Sequence, residues 1–171
     1  MRMNVICFGD SNTYGYDPRG YFGGRYNADS RWVDILVAKT GWTVCNMGQN
    51  KEFPADTDLL IVMLGTNDLL QGKGPKQIIE KSERFLSGIS LDRSKILLIA
   101  PPPMTLGAWV PSTQFVDNSR TFAQLCQALA EQLGIRFADA GKWEIPLAYD
   151  GVHFTEQGHR AFAARLLEEL K

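Results

Sequence analysis

The sequence has little cysteine, almost no net charge and no long apolar run. Its three cysteines, Cys7, Cys45 and Cys126, are odd in number and lack CxxC spacing, which argues against a disulfide framework or a zinc site. Each lies in an apolar stretch, so we expect three buried, reduced thiols. A formal net charge of −1 gives no basis for binding nucleic acid or an anionic membrane surface.

No apolar run reaches the length of a membrane span, and the first residues lead directly into a predicted strand rather than into a signal peptide. We therefore expect a cytoplasmic protein. A chain of 171 residues is long enough for one domain with a substantial core, so we predict a single domain over residues 1–171.

Short apolar runs alternate along the chain with amphipathic stretches of helical period. They predict strands at residues 4–8, 42–46, 58–64, 95–100 and 135–140, and helices at 30–41, 74–89, 119–134 and 155–170. This alternation indicates an α/β fold in which helices cover both faces of a parallel sheet. The connection between the second and third strands is too short for a good helix, so we expect an extended crossover there, or at most one helical turn.

Polar residues follow the predicted strands at the points where the strands end. The segment GDSN follows the first strand, NMGQN the second and GTND the third, and DGVHF comes after the fifth. Ligands bind at the carboxyl edge of an open parallel sheet, where all these segments meet. The pattern therefore places Ser11, Gly48, Asn67, Asp150 and His153 near one another.

A serine, a histidine and an aspartate are sufficient for acyl transfer through a serine ester. A serine hydroxyl is a weak nucleophile and needs a base, for which His153 is the candidate. Asp150, three residues earlier, could orient the imidazole across a turn. The oxyanion of the tetrahedral intermediate needs hydrogen-bond donors, and the backbone N–H groups of Ser11 and Gly48 and the side-chain amide of Asn67 are candidates.

The four segments resemble the four sequence blocks of the SGNH hydrolases, the GDSL-type esterases and lipases. The family takes its name from the serine, glycine, asparagine and histidine of these blocks, and all four match in order between residues 9 and 153. The resemblance implies Ser11 as nucleophile, His153 as base and Asp150 as its orienting acid. It also implies an oxyanion hole formed by Ser11, Gly48 and Asn67.

The same resemblance implies the flavodoxin-like three-layer α/β/α fold with a five-stranded parallel sheet of order 2-1-3-4-5. The segments GDSNTYG and APPP are most similar to arylesterase-like members. Neither a cofactor nor a metal is implied, and the partner is a small-molecule ester. Because the sequence has no evident lipid-binding segment or large lid, we expect short acyl groups such as acetyl.

Two long loops are candidates for the wall of the substrate pocket, since long loops in compact domains are usually functional. The first contains Tyr14, and the second, which leaves the fourth strand, contains Met104 and Trp109. Exposed aromatic loops could equally form the contact of a homo-oligomer.

Several polar neighbours of the candidate site have structural interpretations. We expect Asp10 to hold the turn before Ser11 rather than to take part in the reaction. Thr66 and Asp68 are expected to shape the turn around Asn67 through side-chain-to-backbone hydrogen bonds. His159, in the first turns of the last helix, is expected to be an ordinary exposed histidine.

Two other functions stay open from the residues alone. In a flavodoxin-like cofactor-binding module, the GDSNTYG segment would cradle a flavin phosphate. That function would leave Asn67, Asp150 and His153 without a role. A catalytically inactive relative would bind esters or glycans without turnover.

Overall fold

The computed structural model describes residues 1–20, 24–46 and 53–171. Its sheet has five parallel strands in the order β2-β1-β3-β4-β5, which confirms the predicted fold. The strands are β1 (Asn4–Gly9), β2 (Thr43–Asn46), β3 (Leu59–Met63), β4 (Ile96–Ala100) and β5 (Arg136–Asp139).

Six α-helices lie in the described ranges. They are α1 (Ser11–Tyr14), α2 (Trp32–Thr40), α3 (Thr66–Leu70), α4 (Pro75–Ser87), α5 (Thr113–Leu133) and α6 (Glu156–Glu169). None of these helices is long and apolar enough to cross a membrane. The short helices α1 and α3 directly follow β1 and β3, so they stand at the carboxyl edge of the sheet.

The sheet is covered on both faces, which explains its continuous apolar strands. Every residue of β3 and β4 is buried. On one face, Leu60 and Val62 pack in a core cluster with residues of α4 and α5, and on the other, Leu59 and Ile61 pack with residues of α2 and α6. Alternate residues of one strand thus supply two cores, as expected for a strand buried on both sides.

Helix α5 begins at Thr113, six residues before the predicted start. The six residues before the predicted start contain only two apolar side chains, Phe115 and Val116, which are partly buried, so the apolar periodicity is weak there. The loop that leaves β4 is correspondingly shorter than predicted.

The connection from β2 to β3 is described only over residues 53–58, which contain no helix. Phe53 in this stretch is buried in the core cluster formed with α4 and α5. Gly48, predicted to line the oxyanion hole, lies outside the described residues.

One of the three cysteine predictions was wrong. Cys7 and Cys126 are buried, whereas Cys45 is exposed. Cys45 belongs to β2, which is an edge strand of the sheet, so an apolar stretch in the sequence did not imply burial there.

Candidate active site

Strand β1 ends in a tight turn that presents Ser11 as the first residue of α1. The Asp10 side chain caps this helix by accepting the Asn12 N–H at 3.1 Å, so the prediction that Asp10 holds the turn is confirmed. Gly9 is required beneath the turn because a Cβ there would lie 2.0 Å from Thr13 Oγ1. The sequence GDS therefore sets the position of the serine hydroxyl through backbone geometry.

Ser11, His153 and Asp150 form a chain of two hydrogen bonds. Ser11 Oγ lies 2.9 Å from His153 Nε2, and His153 Nδ1 lies 2.6 Å from Asp150 Oδ2. An ionised carboxylate only accepts hydrogen bonds, so Nδ1 carries the proton and Nε2 accepts from the serine hydroxyl. The side chains of His153 and Asp150 are 3% and 0% exposed, so water hardly competes for these bonds.

The three-residue spacing of Asp150 and His153 corresponds to a tight turn. Asp150 Oδ1 accepts the backbone N–H groups of Val152 and His153, both at 2.9 Å. Gly151 has a φ of +82°, and a Cβ there would lie 2.0 Å from the Thr105 carbonyl oxygen. Burial acts to raise the pKa of Asp150, but the hydrogen bonds from His153 and Val152 outweigh it and hold that pKa below its ordinary value.

Asn67 reaches the same edge of the sheet from β3. It is the second residue of α3 and is exposed. The turn before it depends on Gly65, whose φ is +115° and whose Cβ would lie 2.5 Å from the Phe122 ring. Thr66 hydrogen-bonds the Asp10 carboxyl, which links the turn after β3 to the turn after β1.

Asp68 has a different role from the one predicted. Its carboxylate pairs with Lys73 Nζ at 2.7 Å and with Lys81 Nζ at 3.6 Å. These ion pairs connect α3 to the segment that leads into α4 and to α4 itself. Asp68 therefore ties two helices together, and the special backbone conformation at Gly65 makes the turn.

Two aromatic rings pack against the His153 imidazole. The Tyr16 ring lies 4.7 Å from it, and the Trp109 ring meets it edge-on at 5.0 Å. The Trp109 backbone N–H donates to the Asp150 carbonyl at 3.1 Å, so the loop that carries Trp109 is attached to the turn that carries Asp150 and His153. Trp109 is still 47% exposed and presents an aromatic surface beside the base.

The other two pocket candidates lie in different surroundings. Tyr14 is 50% exposed, with the Arg25 guanidinium 4.4 Å from the centre of its ring. Met104 is buried in the core cluster with Phe122 and Val110, so the structure places it inside the protein rather than at a pocket wall.

Two cavities meet at Asn67. A shallow one of about 390 Å³ is lined by Asn67, Leu70, Gln71 and Trp109. A larger one of about 810 Å³ lies between α4 and the ends of β1 and β3. Asn67 and Gln71 line both, and the larger cavity has an apolar wall that includes the stacked rings of Phe8 and Phe85.

His159 is fully buried, contrary to the prediction of an exposed side chain. Its Nδ1 accepts the Trp32 backbone N–H at 3.3 Å, and Tyr26 and Phe154 contact its ring edge-on. Nε2 has no hydrogen-bond partner among the described residues. Burial and, to a lesser degree, the Arg31 charge lower the pKa of His159 to about 4.

The pKa values of His159 and Asp10 predict opposing effects of pH on stability. Burial raises the pKa of Asp10 to about 6, so this group loses stabilisation as the pH rises from about 4 through 6. The lowered pKa of His159 means that the unfolded chain binds the extra proton between pH 4 and 6.5, so stability rises with pH over that window. Each shift corresponds to about 3 kcal/mol.

We expect single variants to separate these two slopes. In Asp10→Asn, the free energy of unfolding should rise with pH between 4 and 6.5, because His159 then acts alone. In His159→Gln, it should fall over the same range. Urea unfolding at half-unit pH steps measures both slopes. If the two variants show the same slope as wild type, neither group has the assigned pKa.

Asn12 was not singled out by the sequence. It follows Ser11 directly, and its side chain bonds backbone groups on both sides of His153. No spacing rule points to it, because its partners lie about 140 residues further along the chain.

Within the described ranges, no group of three or more His, Cys, Asp or Glu side chains could hold a metal ion.

Residues 7–161 match the model of the GDSL-like lipase/acylhydrolase family. The GDSL esterase/lipase WDL1 of Oryza sativa subsp. japonica is 23% identical, in an alignment that covers 99% of this chain and 78% of that protein. The native aryl esterase of M. smegmatis is 24% identical, with a TM-score of 0.81 and 98% of both chains covered.

A carbohydrate acetylesterase family member from Sinorhizobium meliloti is also 24% identical, with a TM-score of 0.82, and the match covers 99% of this chain and 97% of that one. These two structures share the fold of the chain described here. The family model covers most of the chain and spans the turns that carry Ser11, Asn67, Asp150 and His153. The chain therefore belongs to the GDSL-like lipase/acylhydrolase family, the SGNH hydrolases, and is a carboxylic ester hydrolase.

Proposed function

We propose that this protein is a serine esterase that hydrolyses small carboxylic esters through an acyl-enzyme on Ser11. The observation that carries the proposal is the chain of hydrogen bonds from Ser11 Oγ to His153 Nε2 and from His153 Nδ1 to Asp150. It provides a nucleophile, a base within reach of its proton, and a buried carboxylate that fixes the tautomer of the base.

In acylation, Ser11 Oγ attacks the ester carbonyl while its proton passes to His153 Nε2. The carbonyl π pair moves onto oxygen, and the resulting oxyanion accepts hydrogen bonds from the Ser11 N–H, the Asn67 side chain and the Gly48 N–H. When the tetrahedral intermediate collapses, the bond to the alcohol oxygen breaks. His153 gives its proton to that oxygen, and the alcohol leaves.

Deacylation uses the same groups with water as the nucleophile. His153 Nε2 takes a proton from the water as it attacks the acyl carbonyl. The second tetrahedral intermediate expels Ser11 Oγ, which recovers the proton from His153, and the carboxylic acid is released. Asp150 stays ionised throughout and stabilises the imidazolium form of His153 in both steps.

From the position of His153 we infer where the alcohol part and the acyl part of the ester bind. The leaving oxygen must lie within hydrogen-bond distance of His153 Nε2, so the alcohol lies beside Trp109 and Tyr16, which pack on that ring. We place Tyr14 at the outer rim of this pocket, and we do not include Met104, because it is buried in the core. The acyl group points away from His153, towards the larger cavity beside Asn67.

We propose that short acyl groups such as acetyl are preferred. The name of one structural relative, a carbohydrate acetylesterase family member, agrees with a small acyl group. p-Nitrophenyl esters from acetate to octanoate measure this preference. A kcat/KM that rises through octanoate would instead show that the cavity of about 810 Å³ takes up the acyl chain.

A fluorophosphonate probe tests the assignment of the nucleophile. It should label wild type stoichiometrically and abolish ester hydrolysis, and peptide mass spectrometry should find the adduct on Ser11. His153→Ala should be labelled far more slowly, because the serine has then lost its base. A protein that hydrolyses esters but carries the label on another residue would contradict the proposal, and an unlabelled, inactive protein would be a binding relative.

Asn67→Ala is expected to lower kcat by a factor on the order of 10² to 10³, the usual cost of losing one oxyanion donor. The expected change in KM is small, because the donor is needed mainly when charge develops on the carbonyl oxygen. Gln71→Ala is the matched control, since Gln71 lines the same two cavities. Normal turnover of Asn67→Ala would remove Asn67 from the mechanism.

A further inference from the structure

Asn12 joins the nucleophile to the base by a route outside the triad. It directly follows Ser11 in α1 and is only 4% exposed. Its Nδ2 donates to the Val152 carbonyl at 3.2 Å, and its Oδ1 accepts the Phe154 N–H at 2.9 Å. Val152 and Phe154 are the chain neighbours of His153, so one side chain holds the backbone on both sides of the base.

The backbone of Asn12 is bonded as well. Its N–H donates to Asp10 Oδ1 at 3.1 Å, and its carbonyl accepts the Trp32 indole N–H at 3.1 Å. The side-chain amide fits in one orientation only, because a flip would set its donor against the Phe154 N–H and its acceptor against the Val152 carbonyl. A buried residue with all four polar groups bonded is held rigidly.

The triad itself does not fix the distance between the base and the nucleophile. Asp150 and His153 belong to the same turn, so they would move together if that turn shifted relative to α1. Backbone bonds from the Thr105 and Trp109 N–H groups tie this turn to the loop after β4, and the Ala148 N–H bonds the His153 carbonyl, but none of these bonds reaches α1. Besides the bond between Ser11 and His153, the Asn12 side chain joins α1 to the backbone of the histidine turn.

We propose that Asn12 is a positioning residue that holds the His153 imidazole at hydrogen-bond distance from Ser11 Oγ and thereby sets the rate of acylation. The inference rests on the proposed esterase function. A displacement of about 1 Å at a reacting pair costs on the order of 10² in rate, so two hydrogen bonds around the base have a measurable catalytic effect.

Asn12→Leu tests the proposal, because leucine has a similar volume and makes neither hydrogen bond. We expect kcat/KM for phenyl acetate to fall by about 10- to 100-fold. The second-order rate of fluorophosphonate labelling should fall by the same factor, because labelling needs the same activated serine. Substrate affinity, measured with a non-reactive ester analogue, should change by less than about threefold.

Ser119→Ala is the control for a loss of stability alone. The Ser119 hydroxyl is buried, accepts the Met104 N–H at 2.9 Å and donates to the Val116 carbonyl at 2.7 Å. Its removal also deletes two hydrogen bonds, one buried and one partly buried, and neither is made to a residue of the triad. We expect it to lower the melting temperature as Asn12→Leu does while leaving the labelling rate unchanged.

Asn12→Asp provides a readout that a purely structural role would not produce. A protonated carboxyl can replace the amide, donating to the Val152 carbonyl and accepting the Phe154 N–H. An ionised carboxylate cannot donate. The labelling rate of Asn12→Asp relative to wild type should therefore be highest at acid pH and fall as the introduced carboxyl ionises. This variant also serves if Asn12→Leu does not fold.

The outcomes separate this inference from the function on which it rests. Wild type that is not labelled on Ser11 overturns both. Wild type that is labelled, with Asn12→Leu labelled equally fast, overturns only the positioning role. If Asn12→Leu does not fold, the test is the labelling rate of Asn12→Asp relative to wild type. A ratio that does not change with pH overturns the positioning role. Slow labelling of Asn12→Leu, together with normal labelling of Ser119→Ala, supports it.

Discussion

Ser11→Ala is expected to lower kcat for phenyl acetate by about 10⁵-fold or more. The substitution removes the atom that attacks the carbonyl and leaves the fold untouched, because Ser11 Oγ bonds only the His153 imidazole in the described contacts. In an enzyme of this type, losing the nucleophile costs about as much as losing the whole triad. Steady-state hydrolysis at substrate saturation, together with the absence of an acyl-enzyme in quenched samples, measures the effect.

The remaining rate of Ser11→Ala should exceed the uncatalysed rate, since the oxyanion donors still bind the carbonyl oxygen. Ser30→Ala is a matched control, because Ser30 is buried but bonds Asp29 and Arg160 rather than the triad. It should retain normal kcat. A loss below about tenfold in Ser11→Ala would mean that another residue attacks the ester.

Asp150→Asn is expected to lower kcat by about 10⁴-fold. An asparagine side chain would present its oxygen to the Val152 and His153 N–H groups and its NH₂ to His153 Nδ1. His153 Nδ1 would then have to accept a hydrogen bond from this NH₂ group, so the imidazole proton would move to Nε2. With a proton already on Nε2, His153 cannot take the proton of the Ser11 hydroxyl. Substrate affinity should hardly change, because Asp150 is fully buried.

Asp10→Asn distinguishes the two carboxyl groups near the serine. Asp10 precedes Ser11 in the chain and looks like its natural partner, yet its side chain caps α1 and bonds Thr66. An asparagine oxygen can still accept the Asn12 N–H, so we expect kcat within about tenfold of wild type. Equal losses in Asp10→Asn and Asp150→Asn would contradict the assignment of Asp150 as the working acid.

The strands of the sheet were predictable because each one is marked by a short apolar run in the sequence. β3 and β4 are buried throughout, and only apolar residues tolerate that environment, so the runs in the sequence are continuous. The strand order was not contained in those runs and followed from the family resemblance. The start of α5 was missed because its first six residues hold only two apolar side chains, Phe115 and Val116, too few for a clear helical period.

That Ser11, Asp150 and His153 lie close together was predictable, because their segments follow strands whose carboxyl ends meet at one edge of the sheet. Burial of individual polar side chains was not. His159 is buried because α6 packs its first turn against α2, and Met104 because the chain turns inward after β4. Asn12 depends on contacts with residues about 140 positions away, which no local pattern encodes.

The order of the catalytic residues along the chain has a consequence for biosynthesis. In the proposed mechanism the nucleophile is residue 11, and the acid and base are residues 150 and 153, so a ribosome makes the serine turn long before it makes the groups that would activate it. A nascent chain that has folded β1 to β4 carries an inert hydroxyl. Under that mechanism, esterase activity begins only once the turn at residues 150–153 has docked beside α1.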